Sequence, residues 1–329
     1  MLVSLAATGP ATPPDAPALP DVPALPDDVD GALTLARELG RVRAVSTRQR
    51  WETLATLAAH DLGVARAIEP HLDAVDILAQ AGDPVPVVPE ASWGVFAAEG
   101  GDDPLVATEA SGGWTLSGTK PWCSLADRLD CALVTADGRL FAVDLSHPGV
   151  EVLPTPWVAR GLSEIPSGPM HFDAVPAAPV GEPGWYLSRP GFAWGGIGVA
   201  ACWYGGAVGI GRTVHAAAVA KPNPFLLEHL GAIDELLQSS RRALAEAAEL
   251  IDTAEPEPRT LAKRVRATVA RACEEVVLRS GHALGPAPLA LDPAHSKRVA
   301  DLQLYVRQHH AERDLASLGE GLAKGDAPW

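Results

Sequence analysis

The spacing of apolar residues divides the chain into three parts. Between residues 29 and 88 apolar residues recur every three or four positions, which predicts a small all-helical domain. From 89 to 190 short runs alternate apolar and polar residues between Gly, Pro and Asp, which is typical of a β-sandwich or barrel. From 191 to 325 four long amphipathic segments follow one another with short connections. Such segments predict a C-terminal four-helix bundle.

The first helical part is expected to contain three helices. Asp30 can cap the first helix, the second begins near Thr47, and Pro70 suits the first turn of the third. Residues 1–28, which precede them, are dominated by Ala, Pro and Asp. Proline at this density excludes helix and leaves little to bury, so we expect an extended tail that lies along the surface.

The bundle segments carry two further signals. The last segment has Val299, Leu302 and Val306 on one stripe and continues to Leu318, which predicts one helix with His309 facing the interior. Several glycines interrupt the first segment, where each costs roughly 1 kcal/mol of helix stability. We expect another helix or a ligand to approach its backbone closely. These glycines are Gly198, Gly205, Gly206, Gly209 and Gly211.

Composition restricts the possible partners. The 329-residue chain has a net charge of −15, which disfavours a nucleic-acid surface. None of its four cysteines forms a C-x-x-C pair, so we predict no metal site. We find no apolar run that approaches the ~20 residues of a membrane span and no secretory leader pattern. A soluble cytoplasmic protein is therefore expected.

Residues 112–124, GGWTLSGTKPWCS, form the most informative stretch. A glycine turn leads into an alternating strand, and a second turn delivers Trp122 and Ser124 together at the strand's end. An indole can stack on a flat ring while the neighbouring hydroxyl hydrogen-bonds to the ring edge. The alternative is an ordinary hairpin with a surface tryptophan.

This stretch resembles the strand-pair motif G-x-W-x-L-x-G-x-K-x-W-I-T-N of the acyl-CoA dehydrogenase superfamily. Residues 172–186 are similar to the strand that closes that family's β-domain, and 301–319 resemble its last bundle helix. The order of helical unit, β-domain and four-helix bundle is also the family's order. The resemblance implies an α+β, acyl-CoA dehydrogenase-like fold in a shortened and divergent member.

The resemblance also implies FAD as cofactor. Trp122 would pack on the flavin and Ser124 would reach flavin N5, while Ala98 stands where the family has the Thr of T-E-P-x-A-G-S-D. Phe225 is the nearest equivalent of the R-x-x-F-G turn, which reaches the FAD of a neighbouring subunit. Gly285 retains part of the Q-x-x-G-G motif that cradles the pyrophosphate. Each of these motifs is only partly kept.

The catalytic position departs from the family. There a glutamate removes the α-proton of an acyl thioester, and some members carry the acid in the first bundle helix instead. His309 occupies the glutamate position here, and residues 192–206 contain no acid. His309 could act as the base, because imidazole titrates in the required range. It could equally be a hydrogen-bonded core histidine.

Three functions remain open from the sequence. The first is an FAD-dependent oxidoreductase that oxidises an acyl-CoA or a related small molecule. The second is a flavin-dependent monooxygenase on the same fold, and the third is a non-catalytic paralogue that binds a ligand or a partner subunit. The resemblance implies a homodimer or homotetramer, and the enzyme functions imply a possible electron-transfer partner.

Overall fold

The computed structural model describes residues 1–6, 25–42, 45–82, 90–253 and 257–326. Most of the predicted tail and the proline-rich connection at 83–89 lie outside the described residues. Within the described ranges, helices, a sheet and a second set of helices follow in the predicted order.

The N-terminal part contains three helices: α1 (Val29–Gly40), α2 (Thr47–His60) and α3 (Leu62–Ala81). Asp28, rather than Asp30, caps α1 through a hydrogen bond from the Gly31 amide. The start predicted for α2 is correct, and Ser46 caps it with a capping box.

The start predicted for α3 is wrong, because Pro70 lies inside this helix. The side chain of Asp61 accepts hydrogen bonds from the amides of Gly63 (2.7 Å) and Val64 (3.1 Å), and this cap begins the helix well before the proline. As a result α3 continues directly from α2 and presents a long face to the rest of the molecule.

The middle of the chain forms a seven-stranded sheet of order β1-β4-β5-β7-β3-β2, with β6 also paired to β7. The long strand β7 pairs with β5 near Val180 and with β3 and β6 further back, so it joins two halves of the sheet. Apolar side chains from both halves, Phe141 and Phe172 among them, form one core. The strands are β1 (Trp93–Phe96), β2 (Val106–Ala110), β3 (Gly113–Ser124), β4 (Cys131–Ala136), β5 (Arg139–Asp144), β6 (Val150–Val152) and β7 (Ser167–Val180).

The C-terminal bundle differs from the prediction in its last segment. A 3₁₀ turn at Val306–Gln308 interrupts the segment, so two helices stand where one was expected. His309 is consequently in extended backbone and not on a helix. The helices that follow the sheet are α4 (Trp185–Ser188), α5 (Pro190–Ala220), α6 (Pro224–Thr253), α7 (Pro258–Leu284), α8 (Pro286–Leu291), α9 (Pro293–Tyr305) and α10 (Glu312–Leu322).

Helix α5 is the central helix of the bundle. Contrary to our expectation from the sequence, this helix is long and apolar enough, by length and composition alone, to cross a membrane. However, 67% of its apolar 18-residue stretch is buried in the protein. Its glycines allow α2 to pack closely against its backbone. A Cβ on Gly205 would lie 2.2 Å from the Ala55 carbonyl oxygen. A Cβ on Gly209 would lie 3.0 Å from the carbonyl oxygen of Ala59. The close approach predicted for this helix is therefore made by a helix of the same chain.

Two of the first six residues belong to the helical core. Val3 and Leu5 are buried, although we expected this segment to lie on the surface. The Val3 amide donates to Thr56 Oγ1 of α2 (2.9 Å), and Arg241 of α6 donates to the Leu5 carbonyl (2.8 Å). Residues 1–6 thus connect α2 with α6.

Candidate active site

Trp122 projects from an irregularity in β3. The pairing of β3 with β7 shifts between Lys120 and Cys123, which is a β-bulge, and Trp122 has a positive φ of 59°. Its side chain is 66% exposed, whereas the next residue, Cys123, is buried. The bulge therefore turns a large indole out of a strand whose neighbouring residue stays in the core. Unusual backbone of this kind is often retained at functional sites.

Ser124 lies two residues further on, at the junction of sheet and helices. Its Oγ is 2.7 Å from Ser167 Oγ on β7 and accepts a hydrogen bond from Nη2 of Arg66 on α3 (2.9 Å). The other guanidinium nitrogen, Nη1, is buried and has no hydrogen-bond partner among the described residues. Arg66 therefore keeps a second buried donor, Nη1, in the same guanidinium that binds Ser124, whose hydroxyl is predicted to contact the flavin. Nothing in the strand motif indicates this arginine.

Ala98 belongs to a loop that runs beside β3. Lys120 is 1% exposed and donates to Glu99 (3.0 Å) and to the Thr135 carbonyl (2.6 Å), which anchors the loop to the sheet. Burial lowers the pKa of Lys120, against the opposing effect of Glu99. Ala98 itself offers no side-chain hydroxyl, so any polar contact from this loop comes from its backbone.

The same loop crosses β3 at Gly118. A Cβ there would lie 2.5 Å from the Pro104 carbonyl oxygen, and the residue has a φ of 113°. Gly100 and Gly101 also have positive φ, with open space where their side chains would be. Their amides are available for an anion or a ring edge.

His309 lies in the link between α9 and α10. Its side chain is 10% exposed, and its Nε2 is buried, without a hydrogen bond in the described structure and 4.0 Å from Asp314. Arg266 of α7 donates to the carbonyls of Gln308 (2.9 Å) and of Gly196 on α5 (2.5 Å), which fixes the link against the bundle. Burial lowers the pKa of His309, so the neutral imidazole predominates at neutral pH. The inward orientation predicted for His309 agrees with the structure.

Phe225 and Gly285 lie together at another end of the bundle, where α6 begins and α7 ends. An ion pair between Glu228 and Arg279 (3.2 Å) and a ring contact between His229 and His282 join these helix ends. Phe225 is 80% exposed. Among the described residues, no hydrogen bond, ion pair or ring contact joins this end to β3. The predicted cofactor residues therefore fall into two groups, with Trp122, Ser124 and Ala98 in one and Phe225 and Gly285 in the other.

A further acidic residue, Glu69, lies one helical turn from Arg66 on α3. Its carboxylate is 3.9 Å from Arg66 Nη1, and its side chain is 12% exposed. Burial raises the pKa of Glu69 to about 7, against the charges of Arg66 and Arg266. The sequence carries a signal for this residue, because Glu69 and Asp73 share a face of an otherwise apolar helix. Charged residues on helices usually face solvent, so this signal alone does not distinguish Glu69 from surface acids.

Comparison with known proteins gives a clear result only at the level of structure. No family model and no curated protein matches the sequence. The fold of KijD3, solved with FMN and dTDP-3-amino-2,3,6-trideoxy-4-keto-3-methyl-D-glucose, covers 91% of this chain and 88% of KijD3 at a TM-score of 0.76 and 19% identity. FMN-bound TdsC from a Paenibacillus species matches 88% of each chain at a TM-score of 0.74 and 17% identity.

Butyryl-CoA dehydrogenase from Megasphaera elsdenii matches over 90% of this chain and 89% of its own, with a TM-score of 0.77 and 17% identity. At such identities the likeness establishes the fold and not the activity. The predicted α+β architecture is confirmed: the chain has the acyl-CoA dehydrogenase-like fold.

Proposed function

We propose that the protein is a flavin-dependent oxidoreductase that holds the flavin ring against Trp122 and beside Ser124. The observation that carries the proposal is the bulge in β3, which presents an exposed indole two residues before a hydroxyl tied to Arg66. KijD3 and TdsC, two proteins with the same fold, were solved with bound FMN, which supports a flavin at this face.

The residues present fit the ring end of a flavin. Trp122 offers an aromatic face for stacking, and Ser124 Oγ can hydrogen-bond to the ring edge. The buried Nη1 of Arg66 lacks a hydrogen bond within the described structure and can donate to an acceptor placed near Ser124. The open space beside Gly100 and Gly101 leaves room for the ring next to this loop. A bound flavin would supply the electron-accepting group of the reaction.

The adenine end of FAD finds fewer partners. Phe225 and Gly285 stand on the far ends of α6 and α7, and by resemblance they would serve the cofactor of a neighbouring subunit. No arginine stands near the start of α6 in the run AKPNPF. The prediction of FAD therefore depends on a homo-oligomer. FMN needs only the ring end of the site and a place for its phosphate. We propose that FMN binds with an affinity similar to that of FAD.

Reconstitution with each flavin tests the proposal. We expect the purified protein to bind FMN with quenched flavin fluorescence, and Trp122→Ala to weaken binding about tenfold, since one stacking contact contributes 0.5–1.5 kcal/mol beyond its burial. Val219→Ala, which removes another exposed side chain, serves as the control. A protein that binds neither FMN nor FAD would overturn the proposal and favour the non-catalytic paralogue.

For the reaction we propose oxidation of an acyl thioester with His309 as the proton acceptor. The neutral imidazole, with a buried Nε2 that has no hydrogen bond in the described structure, can accept a proton from a carbon acid placed beside it. The second candidate is the flavin monooxygenase. It is favoured because position 309 is a histidine rather than an acidic residue, and because residues 192–206 contain no Asp or Glu. TdsC, whose fold matches, is a dibenzothiophene monooxygenase.

Anaerobic mixing with butyryl-CoA separates the two reactions. Bleaching of the flavin by the thioester supports the dehydrogenase, and its loss in His309→Ala assigns the proton acceptor. A flavin that needs a separate reductase and oxygen before it turns over supports the monooxygenase. Bleaching at the same rate in His309→Ala would remove this histidine from the mechanism.

A further inference from the structure

A cavity of about 320 Å³ lies between α2, α3, α5 and the end of α6, and the flavin proposal makes no use of it. Gly191, Gly195 and Gly198 give α5 a bare face towards it. A Cβ on Gly195 would lie 2.9 Å from an Asp73 carboxylate oxygen. The missing side chain at Gly195 therefore lets Asp73 approach the backbone of α5 closely.

The opposite wall carries acidic side chains from one face of α3. Glu69, Asp73 and Asp76 are spaced by four and three positions, so they line the cavity in a row. Asp76 pairs with Arg50 of α2 at 3.0 Å. The closest cations to the other two are more distant, with Arg66 at 3.9 Å from Glu69 and Arg189 at 4.0 Å from Asp73.

Glu69 and Asp73 therefore have charged neighbours but accept no hydrogen bond from any described residue. Both side chains line the cavity and are largely buried, with 12% of Glu69 and 24% of Asp73 exposed. Burial raises the pKa of Asp73 to about 6, against the charge of Arg189, as it raises that of Glu69 to about 7. A buried carboxylate without a donor is costly, and a bound donor that carries positive charge would remove the cost.

Two tryptophans complete the walls. Trp51 of α2 and Trp194 of α5 both line the cavity, and indole faces attract cations. The Nε1 of Trp194 is buried and donates no hydrogen bond within the described part of the chain. The cavity is thus aromatic on one side and acidic on another, which is the arrangement that holds an organic cation.

The arrangement does not suit a bare metal ion. Among the described residues, one set of three potential ligands converges within 4.8 Å, and it consists of Asp61, Glu164 and Asp301 outside the cavity. The ammonium of Lys297 already occupies that set, at 2.7–2.9 Å from each carboxylate. The cavity carboxylates are spread more widely, as a cation with an organic body requires.

We propose that this cavity is a binding site for an amine, with the ammonium group between Glu69 and Asp73 and the organic body against Trp51 and Trp194. The site goes beyond the flavin proposal and does not depend on it, because none of these four residues is needed to hold the ring. A primary ammonium has three donors, which can satisfy both carboxylates.

Binding should strengthen as pH rises from 5 to 8. The amine stays protonated over this range, while Glu69 and Asp73 ionise as the pH passes their raised pKa values of about 7 and 6. Only the ionised carboxylates pair with the ammonium. The charged groups that face them from the surrounding elements are Arg50, Arg66, Asp76, Arg189, Asp252 and Arg266.

The test is titration of the flavin-free protein with ethylammonium and 2-phenylethylammonium, followed by calorimetry and by tryptophan fluorescence. We expect the aromatic amine to bind at least about tenfold more tightly than 2-phenylethanol, which has the same body without the charge. We also expect its affinity to fall about tenfold between pH 8 and pH 5. Failure of both amines to bind, or equal binding of amine and alcohol, would overturn the proposal.

Variants locate the site. The double substitution Glu69→Gln with Asp73→Asn keeps side-chain size and should abolish the preference for the amine over the alcohol. The exposed Glu320→Gln should leave it unchanged, and circular dichroism checks that each variant is folded. Amine binding that persists in the double variant would place the ligand elsewhere and refute the assignment.

Discussion

The chain contains two groups of three buried or half-buried carboxylates, and they differ in what neutralises them. Asp61, Glu164 and Asp301 surround the ammonium of Lys297 at hydrogen-bond distance. We call these four residues the lysine cluster. The carboxylates of the cavity, Glu69, Asp73 and Asp76, face arginines, of which only Arg50 comes within 3.5 Å of its partner.

The difference separates a structural role from a binding role. In the lysine cluster, burial by itself lowers the pKa of Lys297. The hydrogen bonds to the three carboxylates outweigh this effect and raise the pKa of Lys297 above its usual range. The cluster joins the α2–α3 turn, the segment before β7 and α9, and its carboxylates already hold a cation. In the cavity, Glu69 and Asp73 accept no hydrogen bond from a described residue, which is expected where a ligand completes the site.

The largest expected effect is in the lysine cluster. Lys297→Met leaves three carboxylates without their cation. Because the Lys297 side chain is 36% exposed and water screens the charges, we expect the free energy of unfolding to fall by about 2–3 kcal/mol, less than for a fully buried pair. Urea denaturation followed by circular dichroism measures it, with the exposed Lys324→Met as control. A loss no greater than in the control would mean that the cluster is not structural.

A smaller loss is expected when one acid of that cluster is neutralised. Asp301 is 1% exposed, accepts from the Leu162 amide (2.6 Å) and pairs with Lys297. Asp301→Asn keeps an acceptor for the amide but removes the charge. Burial raises the pKa of Asp301 and so offsets part of the benefit of the ion pair with Lys297, and we therefore expect a loss of only about 1 kcal/mol. The same denaturation assay measures it, and Asp326→Asn is the exposed comparison. An unchanged midpoint would contradict the role given to the ion pair.

The smallest effect should have the opposite sign and lies in the cavity. The pKa of Glu69 is raised to about 7 in the folded state, so its contribution to stability is complete below the unfolded pKa and is lost as pH rises through 7. Glu69→Gln removes that loss. At pH 8 we expect the variant to be about 1 kcal/mol more stable than the wild type, because an unpaired buried charge costs roughly that much. At pH 4, where Glu69 is protonated, the variant should be no more stable than the wild type.

Thermal unfolding across this pH range measures the effect, with Glu320→Gln as a surface control. A variant that is destabilised equally at both pH values would show that Glu69 is already satisfied. The contrast between the two carboxylate groups would then disappear.

The sequence predicted the architecture well because apolar spacing is a property of whole segments. The changes from helical to alternating spacing near residue 90 and back near 190 agree with the sheet and bundle that the structure shows. Helix boundaries were harder, since capping is decided by single side chains. Asp61 begins α3 and Asp28 begins α1, whereas the sequence pattern favours Pro70 and Asp30.

The candidate site was only partly predictable. The motif identified Trp122 and Ser124, but the positive φ of Trp122 depends on a register shift that no local pattern records. Arg66 and Glu69 come from a distant helix, so their proximity to Ser124 is a tertiary fact. The turn at Val306–Gln308 was missed because its residues keep the apolar spacing of a continuous helix.

The contacts of residues 1–6 determine where the chain tolerates additions. Met1 is fully exposed, so a change at this residue should not disturb the fold. A few residues later the same segment is immobilised, because Leu5 is 0% exposed and Arg241 holds the carbonyls of Leu5 and Ala6. Insertions or protease sites engineered between Val3 and Ala6 would therefore behave like core mutations, although they lie within a few residues of a chain terminus.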